Sequence, residues 1–408
     1  MLQLDSYGRV LRNRSFLRFW SGFTISSIGD SLTRVALTWF VFQQTRSAWA
    51  LALLTIAYTA PILLAGFFAG PLLDRFSARR VMILDNLLRG AVFALIPALH
   101  ALNRLQIWHI YVVAAIYGGL MMISLAGAPT LIPSILNQDE LTTANAMETL
   151  SYTLSGVIGP PLAGVLIAWI GSANVVTLDA LSYFIFAVAL LSLGAPGHPA
   201  PESGETRTDY SIRDAIRLMT DNKVIFSTTV MFMAFNIGLG ALVVFLPLLS
   251  DHIAPGRPEV FGILLGSMSL GEVLSAWLAG SLILNLTLGK RIILAQILSG
   301  LSLLLLLLAP SAFWPPAIGL FLLGLFSAPL TIWAQTLRMQ VIPPEMRGRT
   351  FAVLRTLMQG ATPLGGALAG LLLPLLGTQL MIVLSSILVG GPGLAGLRSD
   401  ALKRAGGD

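Results

Sequence analysis

The stretch Gly70-Pro71-Leu72-Leu73-Asp74-Arg75-Phe76-Ser77-Ala78-Arg79-Arg80 decides the fold. It puts three arginines and one aspartate into a short polar break between two apolar runs, Trp49–Leu72 and Val81–Leu102. Each run is about as long as the twenty or so residues that carry a helix across a bilayer. Gly70 lets one helix end lie close to a neighbour, and the arginines hold that end on the cytoplasmic side. The reading is a tight basic turn between two membrane spans.

The rest of the chain repeats this pattern. Its 408 residues are 55% hydrophobic and only 11% charged, and the mean hydropathy is +0.81. Ten further apolar runs follow the same length criterion: Phe19–Gln43, Trp108–Leu131, Met147–Ile170, Val175–Leu193, Val224–Leu249, Phe261–Ile283, Ile292–Ala309, Pro316–Leu337, Phe351–Leu376 and Leu380–Leu397. The last is read as interrupted by Gly390-Gly391-Pro392-Gly393. The expected class is an all-α polytopic membrane protein with twelve transmembrane helices. The first run is too long for a cleaved leader and has no small-residue cleavage site, so no signal peptide is expected. Cysteine is absent, which removes disulfides and thiol chemistry.

A pI near 10 invites a nucleic-acid reading, but the placement of charge argues against one. With both termini cytoplasmic, 20 of the 25 Lys and Arg residues fall in cytoplasmic segments, three outside (Arg46, Arg104, Arg257) and two inside spans (Arg34, Arg89). That asymmetry is the positive-inside signal, and it requires an even number of spans. The net charge of +6 reflects topology, with no nucleic-acid partner.

Residues 195–223 form the longest polar stretch and divide six spans from six. The expected organisation is an N-terminal bundle over 1–195, a cytoplasmic loop over 196–222 with a surface helix near Tyr210–Thr220, and a C-terminal bundle over 223–408. The halves also echo one another. Pro161–Gly171 matches Ala367–Gly377 at an offset of 206, Ala128–Ile132 matches Ala328–Ile332 at 200, and Arg79–Met82 matches Lys290–Ile293 at 211. Three matches in order at nearly constant offset indicate duplication, as expected of transporters built from parallel repeats.

The opening loop, Ser26-Ser27-Ile28-Gly29-Asp30, the pair Asp85/Arg89, the fifth-span run Gly156-Val157-Ile158-Gly159-Pro160-Pro161-Leu162-Ala163-Gly164 and the segment Pro344-Glu345-Met346-Arg347-Gly348-Arg349 resemble one branch of the major facilitator superfamily. That branch is the macrolide-efflux and enterobactin-exporter-like drug:proton antiporters, and the resemblance covers nearly the whole chain. It implies two pseudo-symmetric six-helix bundles and alternating access. It also implies gating by Gly70, Asp74, Arg75, Arg79, Arg80, Arg347 and Arg349, with Asp74 capping the start of the eleventh span. Gly156, Gly159, Pro160 and Gly164 resemble the superfamily's antiporter motif. Ser77, Ala78 and Ala163 depart from the family pattern, and the fourth span lacks the arginine that many proton-coupled relatives use.

Ionisable groups inside spans are costly and point to function by default. Asp30 and Arg34, one helical turn apart, are read as a proton acceptor with its modulating cation, and Glu272, alone in its span, as a second proton site or a receptor for cationic drugs. Asp85 and Arg89 are read as an intramembrane pair of structural character, and Asp179 likewise as structural. Trp39, Phe235, Asn236 and Gln359 are candidate cavity residues. No phosphate-loop, hydrolase-elbow or zinc-ligand pattern occurs, so neither an enzyme nor a cofactor or metal is expected.

The expected activity is export of a hydrophobic or amphipathic small molecule in exchange for protons. It would take place in the bacterial cytoplasmic membrane, by a monomer with both termini inside. Siderophore or metabolite export by the same machinery is the alternative, and an uncoupled sensor or lipid-handling protein a third reading.

Overall fold

The computed structural model describes residues 4–137, 140–193, 212–279, 286–309, 312–343 and 346–406, without the side chains of 63–75 and 347–349 among others. The described chain is helical throughout, in the order α1 Leu4–Arg12, α2 Arg14–Thr45, α3 Ala48–Arg75, α4 Ala78–Ala101, α5 Ile107–Leu131, α6 Leu141–Ile170 and α7 Ser172–Leu191. There follow α8 Ile212–Asp221, α9 Lys223–Ile253, α10 Pro258–Ala279, α11 Leu288–Leu303, α12 Trp314–Val341, α13 Arg347–Gly396 and α14 Asp400–Arg404. Among the described residues seven of these helical stretches have the length and apolarity to cross a membrane. The helices α2, α3, α5 and α10 occupy four further apolar runs, and α13 is two helices joined at Gly377. The arrangement is consistent with twelve spans.

Three details depart from the sequence reading. The helix before the opening loop continues through Gly70-Pro71 to Arg75, so the turn shrinks to Phe76-Ser77, where Ser77 turns extended (φ −60°, ψ 132°) and starts α4. The run Gly390-Gly391-Pro392-Gly393 does not interrupt its helix: a Cβ on Gly390 would meet the Gly300 Cα of α11 at 2.9 Å and one on Gly393 the Ile293 carbonyl oxygen at 3.0 Å, so these two glycines serve close packing. Ahead of the first span lies an additional helix, α1, whose Val10 is fully buried.

The chain forms two compact units, one of Met1–Gln44 with Ala57–Gly204, the other of Thr45–Ile56 with Glu205–Asp408. In the first unit Val10 packs with Phe16, Phe19 and Phe23 of α2, Met82 of α4 and Phe186 of α7. The Phe19 and Phe23 rings stack 5.8 Å apart, and Phe186 meets Phe23 edge-on at 5.9 Å. In the second unit α8 lies where the polar linker ends, with Leu218 and Met219 packed on Ile225, Ile342 and Leu354. Asn222 caps α9 by accepting from the amides of Val224 and Ile225 at 3.0 and 3.1 Å, which satisfies two donors the helix start leaves free.

Helices in lipid gain no hydrophobic advantage from contacting one another, so small residues that allow close approach decide which pairs meet. The α10–α12 pair is reciprocal in this respect. A Cβ on Gly271 would strike the Phe321 carbonyl oxygen, and one on Gly324 the Met268 carbonyl oxygen.

Candidate functional site

Ionisable side chains gather in the interior of the first unit. Arg89 donates from Nε to Asp85 Oδ1 at 3.1 Å, with both side chains at most 3% exposed. Ser124 of α5 donates to the other Asp85 oxygen at 3.2 Å. The Arg89 guanidinium carbon lies 5.3 Å from the Tyr117 ring and 5.7 Å from the Tyr183 ring, where the aromatic faces attract it. Asp30 of α2 accepts a hydrogen bond from the Tyr183 hydroxyl of α7. One turn before Tyr183, Asp179 is 0% exposed, with Ser182 Oγ 3.1 Å from its Oδ1.

Arg34 stands at the edge of this cluster and acts on Asp30 through its charge. Four residues advance a helix by about 40° beyond a full turn, and its side chain is exposed. Asp30 instead shares its surroundings with Arg89, the two lining one cavity. Three carboxylates, Asp30, Asp85 and Asp179, thus accompany one buried guanidinium, which is already engaged by Asp85. A charge held away from water requires a partner and hydrogen bonds to be tolerated.

That cavity, of about 30 Å³, is bordered by Ser26, Ser27, Asp30, Arg89, Tyr117 and Ser124 on its polar side. It has room for about one water molecule. Arg89 Nη2 is buried and has no hydrogen-bond partner. A guanidinium on the wall repels a bound metal cation, whereas a carboxylate beside a small polar cavity can gain and lose a proton.

Small residues let the backbones close around the acids. A Cβ on Gly29 would strike Asp179 Oδ1, and one on Gly159 of α6 would strike Ser31 Oγ. The fifth-span motif therefore permits close packing beside Asp30, with Gly159, Pro160 and Gly164 buried and Gly156 half-buried. The depth of α7 is set at its end. Arg79 donates to the carbonyls of Leu190 and Leu191 at 2.9 and 2.8 Å, and Arg18 to that of Ser192 at 2.8 Å. Cations on the last carbonyls of a helix also complement its dipole.

The other singled-out residues lie elsewhere. Trp39 is fully buried against Phe42, with ring centroids 5.3 Å apart, and lines neither of the first unit's described cavities. Phe235 packs near Phe232, Asn236 donates to the Met358 carbonyl at 2.8 Å, and Gln359 is exposed. Glu272 is half-buried on α10, with the Gly324 backbone against its own amide. Arg80 is exposed. The side chains of Asp74, Arg75, Arg347 and Arg349, and the surroundings of Gly70, lie outside the described residues. Two groups escaped the sequence reading. Tyr183 sits four residues after Asp179, a visible polar i, i+4 pair in an apolar span. Arg338, counted as a loop charge, is 3% exposed, donates to the Thr228 carbonyl at 3.0 Å and lies 4.8 Å from the Phe232 centroid.

The duplication is visible in the backbone. Gly171 (φ 81°) separates α6 from α7, and Gly377 (φ 75°), 206 residues later, joins the two parts of α13. At that offset Asp179 corresponds to Ser385, and at 211 Asp85 and Arg89 correspond to Gln296 and Gly300. Gln296 is fully buried and donates to the Met231 carbonyl at 3.0 Å. The charged interior has no counterpart at these positions in the second half.

Two repeated helical halves, multiple apolar spans and an intramembrane charge cluster define a transporter of the major facilitator class. Solved structures agree on the fold. The nucleoside transporter NupG superposes with a TM-score of 0.76 at 12% identity, over 95% of this chain and 100% of that one. A bacterial homologue of the iron transporter ferroportin, in an inward-facing state, gives 0.72 at 14%, over 94% and 98%. The chain belongs to the transmembrane secretion effector family, whose model matches residues 8–402. It is 26% identical to the multidrug efflux pump Tap of Mycolicibacterium fortuitum over 84% of this chain and 85% of that one. Identity is 23% both to the staphyloferrin A transporter of Staphylococcus aureus, over 86% and 87%, and to macrolide efflux protein A of Streptococcus pyogenes, over 92% and 93%. The protein is a multi-pass membrane transporter of small molecules, not an enzyme.

Proposed function

We propose that this transporter exports a hydrophobic or amphipathic small molecule in exchange for protons, by alternating access, from a bacterial cytoplasmic membrane. The observation that carries the reading is the excess of carboxylate over guanidinium beside a small polar cavity, with Asp85 and Asp179 buried and Asp30 half-buried. Such a site binds a proton readily and releases it when its surroundings change. The efflux activity named for relatives in two other organisms supports the direction and the substrate class. In this reading residues 1–195 and 223–408 are the two bundles, 196–222 the cytoplasmic loop, both termini are cytoplasmic and the monomer is the working unit. Asp30 is the exchanging carboxylate and Glu272 a second acid within the other half. Asp74 meets the start of α13 during cycling. Glu272→Gln with unaltered flux at several pH values removes that residue from the mechanism, and normal transport by Asp74→Asn removes the gating role.

The relative named for staphyloferrin A favours a second reading, export of a siderophore or metabolite. Everted vesicles under an imposed proton gradient, with a pH-sensitive dye and a panel of macrolides, lipophilic cations and catecholate siderophores, decide between them. Substrate-dependent proton release that disappears in Asp30→Asn is the expected result. Wild-type flux indifferent to the gradient and to a protonophore overturns proton coupling.

A further inference from the structure

Asp179 is the most isolated carboxylate in the cluster. It is 0% exposed and, among the described residues, makes no ion pair; Thr33 of α2 acts on its carboxylate, while its Oδ2 finds no hydrogen-bond partner within bonding distance. Ser182 Oγ lies 2.8 Å from the Asp179 carbonyl oxygen and 3.1 Å from its Oδ1. One hydroxyl hydrogen cannot serve both acceptors well. A proton on the Asp179 carboxyl resolves the conflict by donating to Ser182 Oγ, whose own hydrogen then goes to the carbonyl. Across the contact, Asp179 presses on Gly29, the residue before Asp30, while Tyr183 on the same helix donates to Asp30. Two carboxylates of neighbouring helices are therefore linked by one turn of α7, and Asp30 alone of the two borders the cavity.

We propose that Asp179 is a second proton-carrying residue and that Asp30 and Asp179 act as one linked acid pair, sharing a proton that neither releases independently. The inference rests on the proton-exchange reading of the site. With one proton in the pair, Asp179 holds it while Asp30 is ionised at the cavity. The transported proton is the second: it passes from a hydronium ion in the cavity to the Asp30 carboxylate, leaving water, and returns to water when substrate binds. Around the pair stand Arg34 on α2, Asp85 and Arg89 on α4, and the phenols of Tyr58, Tyr117, Tyr152 and Tyr183. Glu148 of α6 acts on Tyr152. Of the two cations, Arg89 is bound to Asp85 and Arg34 is exposed.

The test uses the full chain in lipid nanodiscs and proteoliposomes. In infrared spectra recorded above the transport midpoint, where Asp30 is ionised, a carboxylic acid C=O band is expected in wild type and in Asp30→Asn, and is lost in Asp179→Asn. Transport by Asp179→Asn should reach half its maximal rate at about tenfold lower proton concentration, since Asp30 loses the partner whose shared proton favoured its ionised form. Asp179→Glu should restore the wild-type midpoint in part, which a packing role would not do. Should Asp179→Asn fail to fold, Ser182→Ala keeps the acid but removes its acceptor and is expected to shift the band. An acid band identical in wild type, Asp179→Asn and Ser182→Ala, or a midpoint unmoved by Asp179→Asn, overturns the proposal. Wild-type flux without proton dependence overturns the exchange reading instead, and the band still reports on the pair.

Discussion

Tyr183 of α7 donates its phenolic hydrogen bond to the Asp30 carboxylate of α2, joining two helices that are 153 residues apart in sequence. A hydrogen bond to the ionised form favours that form. Tyr183→Phe keeps the ring that packs 5.4 Å from Phe93 and removes only the donor. Asp30 should then hold its proton to more alkaline pH, moving the proton dependence of flux by about one pH unit. The folded yield should stay near that of wild type. Transport assays across a pH series check the shift, and a profile superimposable on wild type counts against Asp30 as the exchanging group.

Arg89 compensates Asp85 in a buried pair. Removing one partner of such a pair costs about 3–5 kcal/mol, because the other charge is left alone. Arg89→Met is expected to lower the unfolding midpoint in detergent sharply. The double variant Arg89→Met with Asp85→Leu should recover much of the loss, since neither charge remains. A double variant as unstable as the single one means that the guanidinium acts mainly through the Tyr117 and Tyr183 rings.

Arg79 and Arg18 hold the carbonyls of the same helix end. Hydrogen bonds from a charged donor contribute about 1.5–3 kcal/mol when buried and less when half in solvent. Arg79→Gln should cost about 1 kcal/mol, and adding Arg18→Gln should cost more than the sum of the single changes, because each arginine covers for the other. Strict additivity in thermal unfolding shows instead that the two act separately.

Gly324 is confined by backbone on the facing helix: an added Cβ would meet the Met268 carbonyl and lie 2.9 Å from the Glu272 amide nitrogen. Backbone cannot swing aside as a side chain does, so Gly324→Ala should cost about 3 kcal/mol or more. Gly391, whose Cβ would find only Ile387 Cγ2 at 3.6 Å, provides the control. Gly391→Ala should be neutral to within about 0.5 kcal/mol. Size-exclusion profiles of the two variants make the comparison, and equal folded yields remove the close α10–α12 contact from the account.

Length and apolarity make spans legible because lipid demands both, and each apolar run corresponds to a helical segment. The 206-residue offset is legible too, and reappears as two positive-φ glycines. Side-chain partnership within the bundle is another matter. Asp30 and Arg34 share a helical spacing, yet only Asp30 turns inward. Asp179 reads as an isolated acid until α2 and α7 are set side by side, because Gly29 against Asp179 is a contact between distant segments. Arg338 falls at the end of an apolar run, where sequence assigns a charge to solvent, but Thr228 and Phe232 receive it inside. Val10 lies ahead of the first span in a mostly polar segment whose apolar Leu4, Val10 and Leu11 are too few to mark a span, yet α1 buries it fully.

The glycine at 171 and its partner at 377 hold the same backbone turn, while Asp85 and Arg89 on one side answer to Gln296 and Gly300 on the other. A copied scaffold has become a division of labour. The first half gathers its ionisable groups around Asp85 and Arg89, while the matched positions of the second hold the neutral Gln296 and Gly300. The two halves therefore share a backbone plan but not a charge pattern, and a molecule built from two copies of either would keep the one and alter the other.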